Sequence, residues 1–369
     1  MNIADSVILS TMNPISPNTS NSGKKSRSFP FLESALGRRS SSSPVWIMRQ
    51  AGRYLPDYRR VRSLFPNFLD FCRSSEHVAE VTIQPVAQIG VDAAILFSDI
   101  LVLLPPLGFH LEFLAGEGPV VHNPLRTEAA IQALASHDIN AELNYVFKGI
   151  QLTLKELAGS VPLIGFAGGP FTVASYMVEG GSSKDLAHLK ALMFSQPKAF
   201  HQLLEKLAAI TAAYLMEQIR QGVHAVTIMD SWAGHLGGSD YREFVFPHTR
   251  SIIAKIKSQF PEIPVIHYAN GAPTLMSDFV HLGADVVGLD WRMELATAFK
   301  AHPGQVFQGN LDPCFLFASP EAIAKKVQEM KAIVGNRPHI WNLGHGILPN
   351  TPVENARAFV QAVHGEYQA

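Results

Sequence analysis

The sequence predicts a single (β/α)8 barrel of the triosephosphate isomerase type over residues 29–369, behind a disordered N-terminal tail over residues 1–28. Three observations predict it. Eight short apolar segments each close on a polar or Gly-rich end, as buried parallel strands do. Helical patterns lie between most of them, so strand and helix alternate as a barrel requires. The 369-residue length suits one such barrel, and 47% hydrophobic residues provide its core.

Residues 1–28 are rich in Ser, Asn and Thr, carry Lys24, Lys25 and Arg27 at their end, and offer little that could pack. Asp5 stands where a secretory signal needs positive charge, and Val7-Ile8-Leu9 is too short an apolar centre. The Ser-rich, acid-poor composition is compatible with an organelle transit peptide, which keeps a plastid location as the alternative to the cytoplasm. The expected strands are residues 44–49, 93–99, 162–168, 225–231, 264–270, 286–290, 306–312 and 339–345. The clearest helix is 198–221, where Leu203, Leu207 and Ile210 form one stripe and Leu204, Ala208, Leu215 and Ile219 widen it. Ser319-Pro320-Glu321 starts another helix. Thr351-Pro352-Val353-Glu354 reads as a capping box with proline at the first helical position. After the second strand, residues 100–140 form an insertion with a Pro-rich loop, a hairpin around Gly116-Glu117-Gly118 and a helix near Thr127. An insertion there adds a wall to the pocket of a barrel.

Thirty Lys plus Arg balance 31 Asp plus Glu, so no basic excess points to nucleic acid or an anionic membrane surface. No apolar stretch reaches the roughly 18 residues of a membrane span. Cys72 and Cys314 have no metal-ligand spacing and form no disulfide framework, which suits a reducing compartment. No Gly-x-Gly-x-x-Gly follows a strand, so a dinucleotide fold has no support.

The most distinctive stretch is 44–62, where an apolar strand breaks into a loop with five arginines and one acidic neighbour, Asp57. Such a loop is either solvated or meets an anion, and the planar Arg fork fits carboxylates and phosphates. Met48-Arg49-Gln50-Ala51-Gly52-Arg53-Tyr54-Leu55-Pro56 closely resembles the N-terminal signature of the uroporphyrinogen decarboxylase family, and the resemblance runs from about Phe31 to the C-terminus. It implies the same barrel fold, a homodimer, and an enzyme that removes carbon dioxide from the four acetate side chains of uroporphyrinogen III to give coproporphyrinogen III.

In a barrel the polar residue closing each strand points into the pocket. Here these are Arg49, Asp99, Ser231, Asn270, Asp290, Asp312 and His345. Asp290 and Asp312 read best as caps of the following turns. Asp99 stands alone between two apolar runs in Phe97-Ser98-Asp99-Ile100-Leu101, so it needs donors, from the protein or from a ligand. A porphyrinogen presents four pyrrole N–H donors at its centre and carboxylates around its rim. Its complement is a central acceptor, an apolar bed and peripheral cations: Asp99, Phe- and Leu-rich strand ends, and Arg49, Arg53 and Arg62.

The family motifs carry over residue by residue. Arg49, Gln50, Ala51, Gly52 and Arg53 match the signature, Asp99 matches Phe-Ser-Asp, and Tyr176 matches Ser-Tyr-Met-Val-Glu-Gly. Ser231 falls in Met-Asp-Ser-Trp-Ala-Gly-His and His345 in Asn-Leu-Gly-His-Gly-Ile-Leu-Pro. The resemblance implies catalysis by Asp99, Arg49 and Tyr176 without metal, flavin or pyridoxal, because a protonated pyrrole itself accepts the electrons. Asp99 would steady the cationic ring. Arg49 is a poor acid with its very high pKa, so it either positions a carboxylate or relays a proton through water. Tyr176 and Ser231 would hydrogen-bond the reacting acetate, and His345 a carboxylate at the rim. Two competing readings are a zinc-dependent methyltransferase, for which His267-Tyr268-Ala269 lacks the needed cysteine, and a tetrapyrrole carrier without catalysis.

Overall fold

The computed structural model describes residues 29–368 except 115, 117 and 135–138, so the expected tail lies outside the described residues. In chain order the strands are β1 (Ala94–Ile95), β2 (Leu111–Leu114), β3 (Gly118–Val121), β4 (Leu163–Gly168), β5 (Ala225–Asp230), β6 (Val265–Ala269), β7 (Val286–Gly288), β8 (Val306–Gln308) and β9 (His339–Ile340). Seven of them form one curled parallel sheet in the order β1-β4-β5-β6-β7-β8-β9, and β2 and β3 pair as an antiparallel hairpin.

The expected first strand, 44–49, is the eighth stave, but it is an isolated bridge and not a ladder. Val45 bridges Trp341. The Trp341 N–H donates to the Pro44 carbonyl at 2.9 Å, and on the other side the Asp92 N–H donates to the Val45 carbonyl at 2.7 Å. These bonds close the ring between β9 and β1. The pairing stops early because the chain turns at Arg49, which adopts the left-handed φ of 62°. The other strands are also shorter than expected: apart from β4, which runs to Gly168, each stops before its polar residue, which therefore sits on the loop above the sheet.

Alternation sorts the side chains. Ile164, Ala225, Met229, Ile266, Tyr268, Val286, Val306 and Ile340 fill the barrel interior, whereas Val226, Ile228, Val265 and Val287 join the core beneath the helices. Helix Pro30–Ala35 sends Phe31 and Ala35 into the interior cluster. It closes the N-terminal end of the barrel and leaves the opposite end for the cleft.

The long helix spans Pro197–Arg220, with Leu203, Leu204, Leu207 and Leu215 fully or nearly buried. Helix Pro320–Val334 begins as expected, Ser319 accepting the Ala322 N–H. The capping box at Thr351 does not form. Helix Val353–His364 has Pro352 at its N-cap and no side-chain cap. Thr351 is turned inward, where its hydroxyl has no hydrogen-bond partner among the described residues. The insertion has the expected hairpin, and helix Glu128–Ala133 is capped by Thr127. Phe113 of β2 rests 4.8 Å, ring to ring, from Phe68. Among the described residues no helix is long and apolar enough to cross a membrane.

Candidate active site

The open end of the barrel is built from the loops that follow the strands. Beyond β1, Phe97 lies in an aromatic nest, 4.7 Å from Phe71 and 5.6 Å from Tyr58 between ring centres, with its backbone N–H fixed by the Thr82 hydroxyl at 3.0 Å. That rigid base carries Asp99. One carboxylate oxygen accepts the Leu101 N–H at 2.8 Å. The other accepts no hydrogen bond among the described residues, and the side chain is partly exposed. Burial pushes the Asp99 pKa up to about 6, against the opposing pull of the Leu101 N–H and the Arg49 charge.

Arg49 reaches the same space from the first loop. Its left-handed backbone is uncommon for a residue with a side chain and is strained by roughly 1–3 kcal/mol. Gly52 permits the turn, since a Cβ there would lie 2.7 Å from the Arg49 carbonyl oxygen. The loop is strapped to the last one: Met48 N–H and Leu343 N–H both donate to the Asn342 side chain, at 3.0 and 2.7 Å, and Ile347 N–H donates to the Met48 carbonyl at 2.9 Å. The Arg49 side chain then crosses Gly346, where a Cβ would sit 2.9 Å from its Cγ. The guanidinium is exposed and bonds no described residue.

His345, on the strapped loop, lies 6.3 Å ring to ring from both Tyr268 and Trp291. Burial first, and then the Arg49 and Arg292 charges, push its pKa down to about 4, so the imidazole is neutral near pH 7. Tyr176 projects from helix Pro170–Glu179 and meets the Trp232 ring edge-on at 5.9 Å. Burial raises its pKa, with the Trp232 indole opposing the shift; the weaker influences of Asp99 and Arg49 reach the same hydroxyl. Ser231 follows β5 directly and is partly exposed. Arg49, Asp99, Ser231 and His345 thus lie on loops at the open end of the barrel, and Tyr176 joins them from the second half of its helix.

Other expected residues are placed differently. The Gln50 side chain does not reach the cleft: it is 0% exposed, accepts the Ile47 N–H at 2.9 Å and donates to the Ala93 carbonyl at 3.0 Å. It clasps the barrel seam, and its burial leaves only a structural role for the side chain. Ala51 and Gly52 are half-buried turn residues. Arg53 is exposed, while Arg62 is half-buried and donates to the Phe65 carbonyl at 2.7 Å. Asp312 accepts the Cys314 N–H at 2.8 Å, and Asp290 the N–H groups of Ala272 and Arg292, as capping residues do. His267 faces outward from β6 onto Phe279, 4.8 Å away, and not into the cleft.

Asp230, one residue before Ser231, is not among the residues the sequence singles out. It is 0% exposed, and Oδ1 accepts the Thr172 hydroxyl at 2.7 Å. Burial pushes its pKa up to about 6, with the Thr172 donors opposing the shift. Its position at the end of β5 was the available signal.

Known proteins resemble this chain over most of its length. The family described as Uroporphyrinogen decarboxylase (URO-D) matches residues 27–366. A protein named uroporphyrinogen decarboxylase from Geotalea daltonii is 47% identical over 335 residues, covering 90% of this chain and 97% of that protein. One of the same name from Rhodococcus jostii is 47% identical over 342 residues, covering 91% and 95%. Among solved structures, a methyltransferase from Methanosarcina mazei superposes with a TM-score of 0.77 at 18% identity, covering 90% of this chain and 96% of that one. That last likeness is one of fold alone.

Proposed function

The chain belongs to the uroporphyrinogen decarboxylase family, and from that premise we propose how its cleft performs the reaction. The enzyme is a carboxy-lyase of tetrapyrrole biosynthesis, and its substrate is a porphyrinogen. The observation that carries the mechanism is the Asp99 carboxylate, held by Leu101 through one oxygen while the other meets no donor among the described residues. Four pyrrole N–H groups at the centre of the macrocycle are the donors that oxygen lacks.

With the macrocycle seated on Asp99, a proton adds to a pyrrole α-carbon and the ring becomes cationic. The bond between the acetate methylene and its carboxylate breaks, carbon dioxide leaves, and the electron pair enters the ring to give an exocyclic methylene. A proton then adds to that carbon as the ring proton departs, leaving a methyl group. The net change for each acetate is one proton consumed and one carbon dioxide released. The pyrrole holds the electrons throughout, so no cofactor is called for. Asp99 stabilises the cation across a pre-set, partly desolvated distance. Arg49 orients the reacting carboxylate, Tyr176 and Ser231 hydrogen-bond it, and Arg53, Arg62 and neutral His345 take carboxylates at the rim.

A cytoplasmic location rests on the bacterial relatives of the same name, and a homodimer on the family resemblance; sedimentation of the purified chain tests the latter. The mechanism is tested by anaerobic incubation with uroporphyrinogen in EDTA, followed by separation of eight- to four-carboxyl products. Stepwise loss of four carboxyls is expected. Activity abolished by the chelator and restored by zinc would contradict the mechanism, as would tight binding without carbon dioxide release.

A further inference from the structure

Beyond β7 the chain builds a further cation into the cleft rim, on the side of His345. Asp290, Trp291 and Arg292 follow one another there. The Arg292 guanidinium carbon lies 3.9 Å from the centre of the Trp291 ring, a stacking distance. Asp290, only 4% exposed, holds the same residue twice: Oδ1 accepts the Arg292 backbone N–H at 2.8 Å, and Oδ2 faces Nη1 at 3.4 Å. Asp290 is itself tied to the Ala272 N–H at 3.2 Å, so the anchor is fixed.

Trp291 is fixed as well. The last loop lies flush against it, a Cβ at Gly344 falling 2.8 Å from the Trp291 Cα, and its ring stands nearly perpendicular to His345 at 6.3 Å. Arg292 is therefore pre-oriented on the rim that carries His345, with its side chain 48% exposed. A guanidinium has five N–H donors. Among the described residues only Asp290 engages it, through Nη1, and the rest of the fork is open to a ligand. The pair is long and its cation half-exposed, and Asp290 already accepts the Ala272 and Arg292 backbone N–H groups, so the stacking and double attachment order the side chain more than that pair requires.

We infer that Arg292 anchors substrate: its stacked guanidinium takes one peripheral carboxylate of the porphyrinogen on the His345 side of the cleft, in addition to those held by Arg53 and Arg62. The inference rests on the functional reading above and adds an anchor to it. It also explains why His345 is held neutral, since Arg49 and Arg292 both depress its protonation after burial has done so. A neutral imidazole between two cations still has one N–H to give a carboxylate and leaves the counter-charge to the arginines.

The test uses the full chain with Arg292→Gln and Arg292→Lys, assayed on uroporphyrinogen without oxygen at several ionic strengths. Arg292→Gln should raise KM by about 10-fold or more, the loss of one charge-assisted hydrogen bond, while kcat stays within about 2-fold. Arg292→Lys keeps the charge but not the stacked fork and should fall between. The KM of the unsubstituted enzyme should rise with salt more steeply than that of Arg292→Gln. Unchanged KM in a folded Arg292→Gln protein would overturn the inference, and a lowered thermal midpoint with unchanged KM would make Arg292 structural. The functional reading fails separately, if the unsubstituted chain releases no carbon dioxide from uroporphyrinogen.

Discussion

The Thr172 hydroxyl donates to Asp230 Oδ1 at 2.7 Å and accepts the Trp232 backbone N–H at 3.1 Å. One side chain thereby links the end of β5, which carries Ser231, to the helix that carries Tyr176 one turn later. Thr172→Val removes both bonds and leaves Asp230 buried without its hydroxyl donor. Stability should fall by about 1–3 kcal/mol, and kcat should fall more than KM changes because Ser231 and Tyr176 lose their common reference. Thr172→Ser should restore both. Denaturant unfolding and steady-state kinetics on the two variants check this; normal kcat in Thr172→Val would mean that the link is structural only.

Asp99 should set the acid limb of the pH profile. Its carboxylate must be ionised to accept pyrrole N–H groups, and burial has raised its pKa to about 6. The kcat/KM of the free enzyme should therefore fall as pH drops through about 6. Asp99→Asn should lower turnover by about 10²–10³, the typical cost of one preorganised electrostatic interaction, while binding falls moderately. The linkage sign also makes a stability statement. A carboxyl with a raised folded pKa destabilises the fold while ionised, above its folded pKa. The Asp99→Asn variant should thus unfold at the same temperature as the unsubstituted chain or higher at pH 8. Near-normal turnover in the folded variant would remove Asp99 from the mechanism.

Gly346→Ala should act on Arg49 without touching its charge. The new methyl would meet the Arg49 side chain at less than van der Waals distance, and the guanidinium must leave the rim. Turnover should fall toward that of Arg49→Lys, with little change in unfolding temperature because Arg49 is exposed. Arg53→Lys and Arg62→Lys should mainly raise KM, each by the equivalent of about 1.5–3 kcal/mol for the bidentate pairing that Lys cannot make. Arg62→Lys should also be somewhat less stable, since Arg62 holds the Phe65 carbonyl. Equal kcat effects at all three arginines would reduce Arg49 to another anchor.

His364 ties the last helix to the barrel seam. Its Nε2 lies 2.8 Å from an Asp92 oxygen that also accepts the Val45 N–H at 2.7 Å. Asp92 raises the His364 pKa, through the hydrogen bond first and against desolvation. A raised folded pKa gives stabilisation that is complete below the unfolded value of about 6.5 and is lost as pH rises through the folded value. The unsubstituted chain should therefore lose more stability than His364→Gln between about pH 5.5 and about pH 9. The difference should be no more than about 1 kcal/mol, because the pair is partly solvated. Denaturant midpoints at the two pH values measure it; parallel losses would show that the pair is not coupled to folding.

The barrel, the insertion and most of the rim are legible in the order of residues alone. Apolar runs closing at Asp99, Ser231 and His345 report strand ends because the alternation of burial is local, and the Arg49–Arg53 signature reports a loop because charge cannot enter the core. The helix stripe at Leu203, Leu207 and Ile210, widened by Leu204 and Leu215, is legible for the same reason. Distances around the closed ring decide the rest. Gln50 reads as part of an anion-binding loop, yet the seam between Val45 and Ala93 needs its amide, and a neighbour across a barrel closure leaves no periodic trace. Thr351 has the pattern of a cap, but the packing of its turn draws the side chain inward and places Pro352 at the helix start. Asp230 and Arg292 lie beside residues the sequence singles out. Their roles emerge only when Thr172 crosses from a neighbouring helix and the last loop closes against Trp291, because those segments are far apart in the chain and become adjacent only when the sheet curls into a closed ring.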